Sequence, residues 1–159
     1  MLKRMGILCA AVLLAQPAIA DDRAKLAGLW NLVSFDTEFQ DTNERKPMYG
    51  KNPKGHLVLL PEGRMMALIP AEGRKVPKTD EDRLAAFRTM FAYSGIYRLE
   101  GDKWVTKVDV AWNEAWTGTD QTRFYKFDGP RLLILTAWQP SVNIPGRTTR
   151  GILTWERAK

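Results

Sequence analysis

From Gly28 onward, apolar and polar residues alternate with a period of two, in short runs closed by Gly, Pro, Asn or Asp. That is the pattern of half-buried β-strands joined by tight turns. It predicts eight strands, at 28–38, 55–60, 64–69, 92–100, 103–112, 121–127, 131–138 and 148–157. Pro61-Glu62-Gly63, Gly101-Asp102 and Asp128-Gly129-Pro130 supply turns between them. One segment breaks the alternation. Thr79 with Asp82 forms a variant capping box, and Asp80, Glu81 and Asp82 set negative charge at the positive end of a helix dipole. Leu84, Phe87, Met90 and Phe91 then recur at helical spacing, which predicts a helix of about ten to twelve residues with a buried face. Eight antiparallel strands with short links close naturally into an up-and-down barrel. The expected fold is therefore all-β, an eight-stranded antiparallel β-barrel with one short α-helix.

The first twenty residues follow a different logic. Lys3 and Arg4 precede the charge-free apolar run Met5–Leu14, and Ala18-Ile19-Ala20 forms a small-x-small site ahead of Asp21. This is the order of a secretory signal peptide, so residues 1–20 are expected to be removed between Ala20 and Asp21. The barrel domain is then 21–159, in a periplasmic or secreted protein. The lone cysteine, Cys9, leaves with the leader, so stability rests on the core and on no disulfide.

Composition narrows the function. With 45% hydrophobic and 26% charged residues the chain is globular. One histidine, His56, cannot build a His-rich metal centre, and no metal or cofactor is expected. The net charge of +6 is spread through loops and interleaved with acids, unlike the basic face of a nucleic-acid binder. No stretch after the leader is long enough for a membrane span.

Strand parity assigns faces. Arg98 and Glu100 outward turn Tyr93, Gly95, Tyr97 and Leu99 inward; Lys107 and Asp109 outward turn Trp104, Thr106, Val108 and Val110 inward. In the last strand Gly151, Leu153, Trp155 and Arg157 face in, and between 121 and 127 the inward set is Gln121, Arg123 and Tyr125. An inward arginine is the most unusual of these, because a charge leaves water only with a partner.

Gly28-Leu29-Trp30 resembles the Gly-x-Trp signature of lipocalins, and the chain from about 26 to 157 is similar to the small bacterial and fungal lipocalin-like domain family. The residues that carry the resemblance are Leu29–Phe35, Gly55 with Pro61–Met65, Ala92–Tyr97, Trp116–Arg123 and Leu153–Arg157. The resemblance implies a calycin-type barrel with Arg157 packed across Trp30. Leu59 and Thr106-Lys107 stand where relatives tend to carry Tyr and His, which removes acid–base groups.

These readings favour an exported barrel that holds a small, largely apolar molecule, with an acidic or carbonyl group met by Arg123. The candidate contacts are Tyr93, Tyr97, Trp104, Gln121, Arg123, Tyr125 and Trp155. One alternative is an isomerase, cyclase or dehydratase using a lumen tyrosine as acid and Arg123 as stabiliser. The other is a structural barrel filled by its own side chains. A carboxylate or histidine beside Arg123 would favour the enzyme, and the sequence names none.

Overall fold

The computed structural model describes residues 17–141 and 144–159, with side chains from Asp22 onward. In chain order the elements are α1 (Pro17–Leu26), β1 (Gly28–Phe39), β2 (Arg45–Pro47), β3 (His56–Leu59), β4 (Arg64–Pro70) and α2 (Asp80–Arg88). Then come β5 (Met90–Glu100), β6 (Lys103–Ala111), a 3-10 turn at Glu114–Trp116, β7 (Asp120–Asp128), β8 (Arg131–Thr136), β9 (Gln139–Pro140) and β10 (Thr148–Arg157). All pairings are antiparallel. β1, β3 to β8 and β10 run round the barrel, and β10 closes it by pairing with β1 from Trp30↔Arg157 to Phe39↔Thr149. The short β2 and β9 pair with β1 and β10 and lengthen the rim. Each of the eight expected strands is present, a residue or two shifted at some ends. Trp112 and Trp138 fall just outside β6 and β8.

Two bulges explain where parity changes. Along β1 the register skips Val33, and along β6 it skips Asp109, since Ser94 pairs with Val110 while Gly95 pairs with Val108. The extra residue flips every side chain beyond it. Val110, expected inside, is therefore on the outer face and 65% exposed, and Ala111 packs against the core instead. Gly95 makes the bulge possible: a Cβ there would meet the Lys107 carbonyl oxygen.

The helix departs from expectation more sharply. Thr79 and Asp82 do form a capping box, each side chain accepting from the other's backbone N–H at 3.2 Å. But α2 spans nine residues and buries none of them; Leu84 is 48% and Phe87 44% exposed. Met90 and Phe91 belong to β5 rather than to the helix. The apolar spacing served the rim of a barrel, not a helix–core contact.

One end of the barrel is shut. Leu26 is fully buried, the Trp30 indole donates to its carbonyl at 2.8 Å, and the Arg157 guanidinium lies 4.4 Å from the Trp30 ring centroid. Arg157 also donates to the carbonyls of Ala27 and Lys25. Arg23 donates to the Pro61 carbonyl at 3.1 Å and sits over the Tyr97 ring. α1 runs across the junction between Ala20 and Asp21 where cleavage is expected; the expected leader segments Lys3-Arg4 and Met5–Leu14 lie outside the described residues.

Candidate functional site

The inward side chains form two levels. The lower level adjoins the shut end. Trp30, Tyr97, Trp104 and Trp155 are each at most 2% exposed and fill the lumen with their rings. Trp104 packs on Tyr125 with centroids 5.6 Å apart and on Tyr97 at 6.5 Å. The Tyr97 hydroxyl donates to the Leu60 carbonyl, and the Tyr125 hydroxyl donates to Asp22 and to the Gly101 carbonyl. Burial, then the hydrogen bond to Asp22 and that carboxylate's charge, push the Tyr125 hydroxyl up to about 12. The indole N–H groups of Trp104 and Trp155 and the Thr106 hydroxyl are buried with no hydrogen-bond partner among the described residues.

The upper level lies towards the other end, where the long connections at 40–55, 71–89, 112–119 and 137–147 gather. Arg123 on β7 is its centre. The residue is only 9% exposed, and its guanidinium lies 5.6 Å from the Tyr93 ring centroid and 5.9 Å from that of Trp116. It donates to its neighbour's Thr122 carbonyl at 2.8 Å and reaches Gln121 Oε1 only at 3.4 Å. Gln121 is in turn held by Thr119, whose hydroxyl donates to the Trp116 carbonyl. No carboxylate among the described residues pairs with Arg123. Asp109 points outward and accepts from Arg64 and Ser94, while Glu100 pairs with Arg98 and Lys103.

Aromatic rings complete this level. Asn113 caps the 3-10 turn through the Ala115 N–H, and the turn swings Trp116 edge-on to Tyr93 at 5.3 Å and to Trp112 at 5.0 Å. Phe91 touches Trp112, Trp116 and Tyr93, and its edge meets Phe35, which meets Tyr49 at 5.4 Å. Phe91, Trp112 and Trp116 remain partly open to solvent. The hydroxyls of Tyr49 and Tyr93 have no hydrogen-bond partner among the described residues. Burial pushes the Tyr49 hydroxyl up, and the charge of Arg74 pulls the other way.

The seven expected contacts thus divide. Tyr93, Gln121 and Arg123 meet in the upper level, whereas Tyr97, Trp104, Tyr125 and Trp155 pack below it. Parity reasoning did not reach Phe35, Tyr49, Phe91, Trp112 and Trp116, which come from strand ends and loops. A signal was present in Trp112 and Trp116, two indoles four residues apart beside the strand that carries Arg123. Two concavities lie at the shut end, away from Arg123: one of about 340 Å³ beside Trp30 and Phe127, and one of about 740 Å³ beside Leu29, Arg131 and Glu156.

A closed antiparallel barrel, sealed at one end by a Trp–Arg stack and rimmed with aromatics at the other, has the architecture of a lipocalin-like barrel. The lipocalin-like domain family matches residues 27–158, the whole barrel, and the chain belongs to that family. No curated protein matches the chain.

Proposed function

We propose that this is an exported binding protein that holds a small, largely apolar molecule bearing a carboxylate or carbonyl at the upper level of its barrel. The observation that carries this reading is Arg123. A guanidinium keeps its charge under all ordinary conditions, and a buried charge is costly without an anion or a full set of acceptors. Arg123 has one short hydrogen bond and two long ones, all to neutral acceptors, and two aromatic faces. A ligand carboxylate supplies the missing anion, and the Phe91–Trp112–Trp116 cluster supplies apolar contact for the rest of the molecule. The lower level is filled by the barrel's own rings, so the proposed ligand sits in the upper level, against Arg123 and the rings of Tyr93 and Trp116.

Export is part of the proposal, supported by the order of Lys3-Arg4, the apolar run and Ala18-Ile19-Ala20. The barrel itself holds no cysteine, so it folds alike in reducing and oxidising compartments.

The test is a titration of fatty and aromatic acids and their neutral esters, followed by tryptophan emission. Acids should quench Trp112 and Trp116 and outcompete esters, and Arg123→Met should erase the difference. Equal binding of acids and esters by the unmodified protein would overturn the reading. N-terminal sequencing of the exported fraction checks the processing step, and a chain that starts at Met1 would refute it.

A further inference from the structure

We propose that the rim around α2 is a docking surface for an anionic phospholipid bilayer. The segment 71–89 presents Val76, Leu84 and Phe87 to solvent, at 82%, 48% and 44% exposure, and Met48 on the adjoining loop is 40% exposed. These side chains belong to connections at one end of the barrel. The two segments are tied together, because Glu72 N–H donates to the Tyr49 carbonyl and the Glu72 carboxylate accepts from the backbones of Lys51 and Asn52.

Cations surround the apolar tip. Val76 sits in the run Arg74-Lys75-Val76-Pro77-Lys78, and Lys51 and Lys54 flank Met48 from the neighbouring loop. Lys51, Lys54, Lys75 and Lys78 are exposed and pair with no carboxylate among the described residues. Several of the acids nearby are already engaged: Glu72 on the loop backbone, Asp82 on the helix cap, and Asp80 on Arg83. The surface therefore offers unpaired positive charge around exposed apolar side chains.

That combination suits one partner better than others. Interfacial binding needs apolar side chains that enter the boundary between headgroups and acyl chains, and cations that meet anionic phosphates. The rigid platform is supplied by the contacts of α2 with the barrel. Trp112 Nε1 donates to the Phe87 carbonyl, Arg74 donates to the Ala86 carbonyl, and Ala71 N–H donates to the Thr89 carbonyl. The same rim encloses the aromatic level around Arg123, so a docked barrel faces its mouth to the bilayer.

The experiment is co-sedimentation of the protein as recovered from its host with vesicles of phosphatidylcholine alone or mixed with phosphatidylglycerol, at low and high salt. The unmodified chain should prefer anionic vesicles and lose that preference at high salt. Lys75→Glu with Lys78→Glu should weaken binding to anionic vesicles at least tenfold, taking about 1 kcal/mol per cation near the surface. Val76→Asp, a change at a side chain without packing partners, should weaken it by a similar factor while the melting temperature stays unchanged. Variants that bind anionic vesicles as tightly as the parent would overturn the proposal. So would sedimentation velocity showing that Val76→Asp dissolves a dimer, since the rim would then serve a second copy of this chain.

Discussion

The Arg157 guanidinium lies over the Trp30 ring, 4.4 Å from its centroid, and so joins the first barrel strand to the last. The pair also anchors the residues before it. Trp30 donates to Leu26 and Arg157 to Ala27 and Lys25, so one stack seals the lumen and fixes the chain that enters it.

Trp30→Ala should cost about 3–5 kcal/mol, as other buried aromatic truncations do, because the cavity falls at the only seam between β1 and β10. The melting temperature of the variant checks this. A curve matching the parent would show that the indole is not a closing element.

Gly95→Ala should destabilise the barrel by about 3 kcal/mol, since its Cβ collides with backbone rather than with a flexible side chain. Denaturant unfolding measures the loss. Lys107→Ala, beside the bulge and with an exposed side chain, should change little.

Glu38 contributes to acid stability. It is almost fully buried between Arg45 and Arg150. Burial pushes its carboxyl up, but the hydrogen bonds and charges of the two arginines win and hold it below the ordinary carboxylate range. Its folded pKa is thus lower than its unfolded one. The stabilisation is complete above the unfolded pKa and disappears as pH falls through the folded one. Glu38→Gln should cost about 1–3 kcal/mol near neutrality, discounted because Arg45 is half in solvent. Melting temperatures of parent and variant should converge as pH drops below the carboxylate range.

Tyr125 reports on the shut end from the alkaline side. Its hydroxyl is pushed up to about 12, so the folded protein gains from the neutral form below the unfolded value near 10 and loses that gain as pH rises between the two. Ultraviolet titration of phenolate should show Tyr125 ionising last, behind Tyr49 and Tyr97, whose hydroxyls burial also pushes up. Asp22→Asn removes the carboxylate charge and should bring it back towards the others. An unchanged late step would mean that Asp22 does not sit against Tyr125.

Arg123→Ala should weaken acidic ligands by about 2–5 kcal/mol, the usual cost of breaking a buried charged contact, and leave neutral esters nearly unaffected. Fluorescence titration reads both. Trp116→Leu should weaken acids and esters alike, because it removes ring contact without touching the charge.

Much of the fold was legible in the alternation itself. Turn residues such as Gly101-Asp102 and Asp128-Gly129-Pro130 divided the chain into strands, and parity turned Arg123 inward from the positions of Lys126 and Asp128 alone. Parity failed at Val110, because a bulge inserts a residue that no period-two pattern marks. Helical spacing misled at α2, where Leu84 and Phe87 repeat as a helix face would but point to solvent. The aromatic level was half visible: Tyr93 lies on a strand and could be placed, whereas Trp112 and Trp116 lie on a loop, where no period assigns a face.

The seam between β1 and β10 has a consequence for how the protein is made. The strands that complete the barrel stand at opposite ends of the chain, so closure is the longest-range step and waits for the last residues to arrive. Until then β1 and β8 present unpaired edges, which invite pairing between chains. A nascent barrel cannot seal while β10 is still in the ribosome. Ending the chain before Thr148 should therefore yield aggregates rather than a smaller barrel, and any fusion at the C-terminus needs a linker that leaves Arg157 free to reach Trp30.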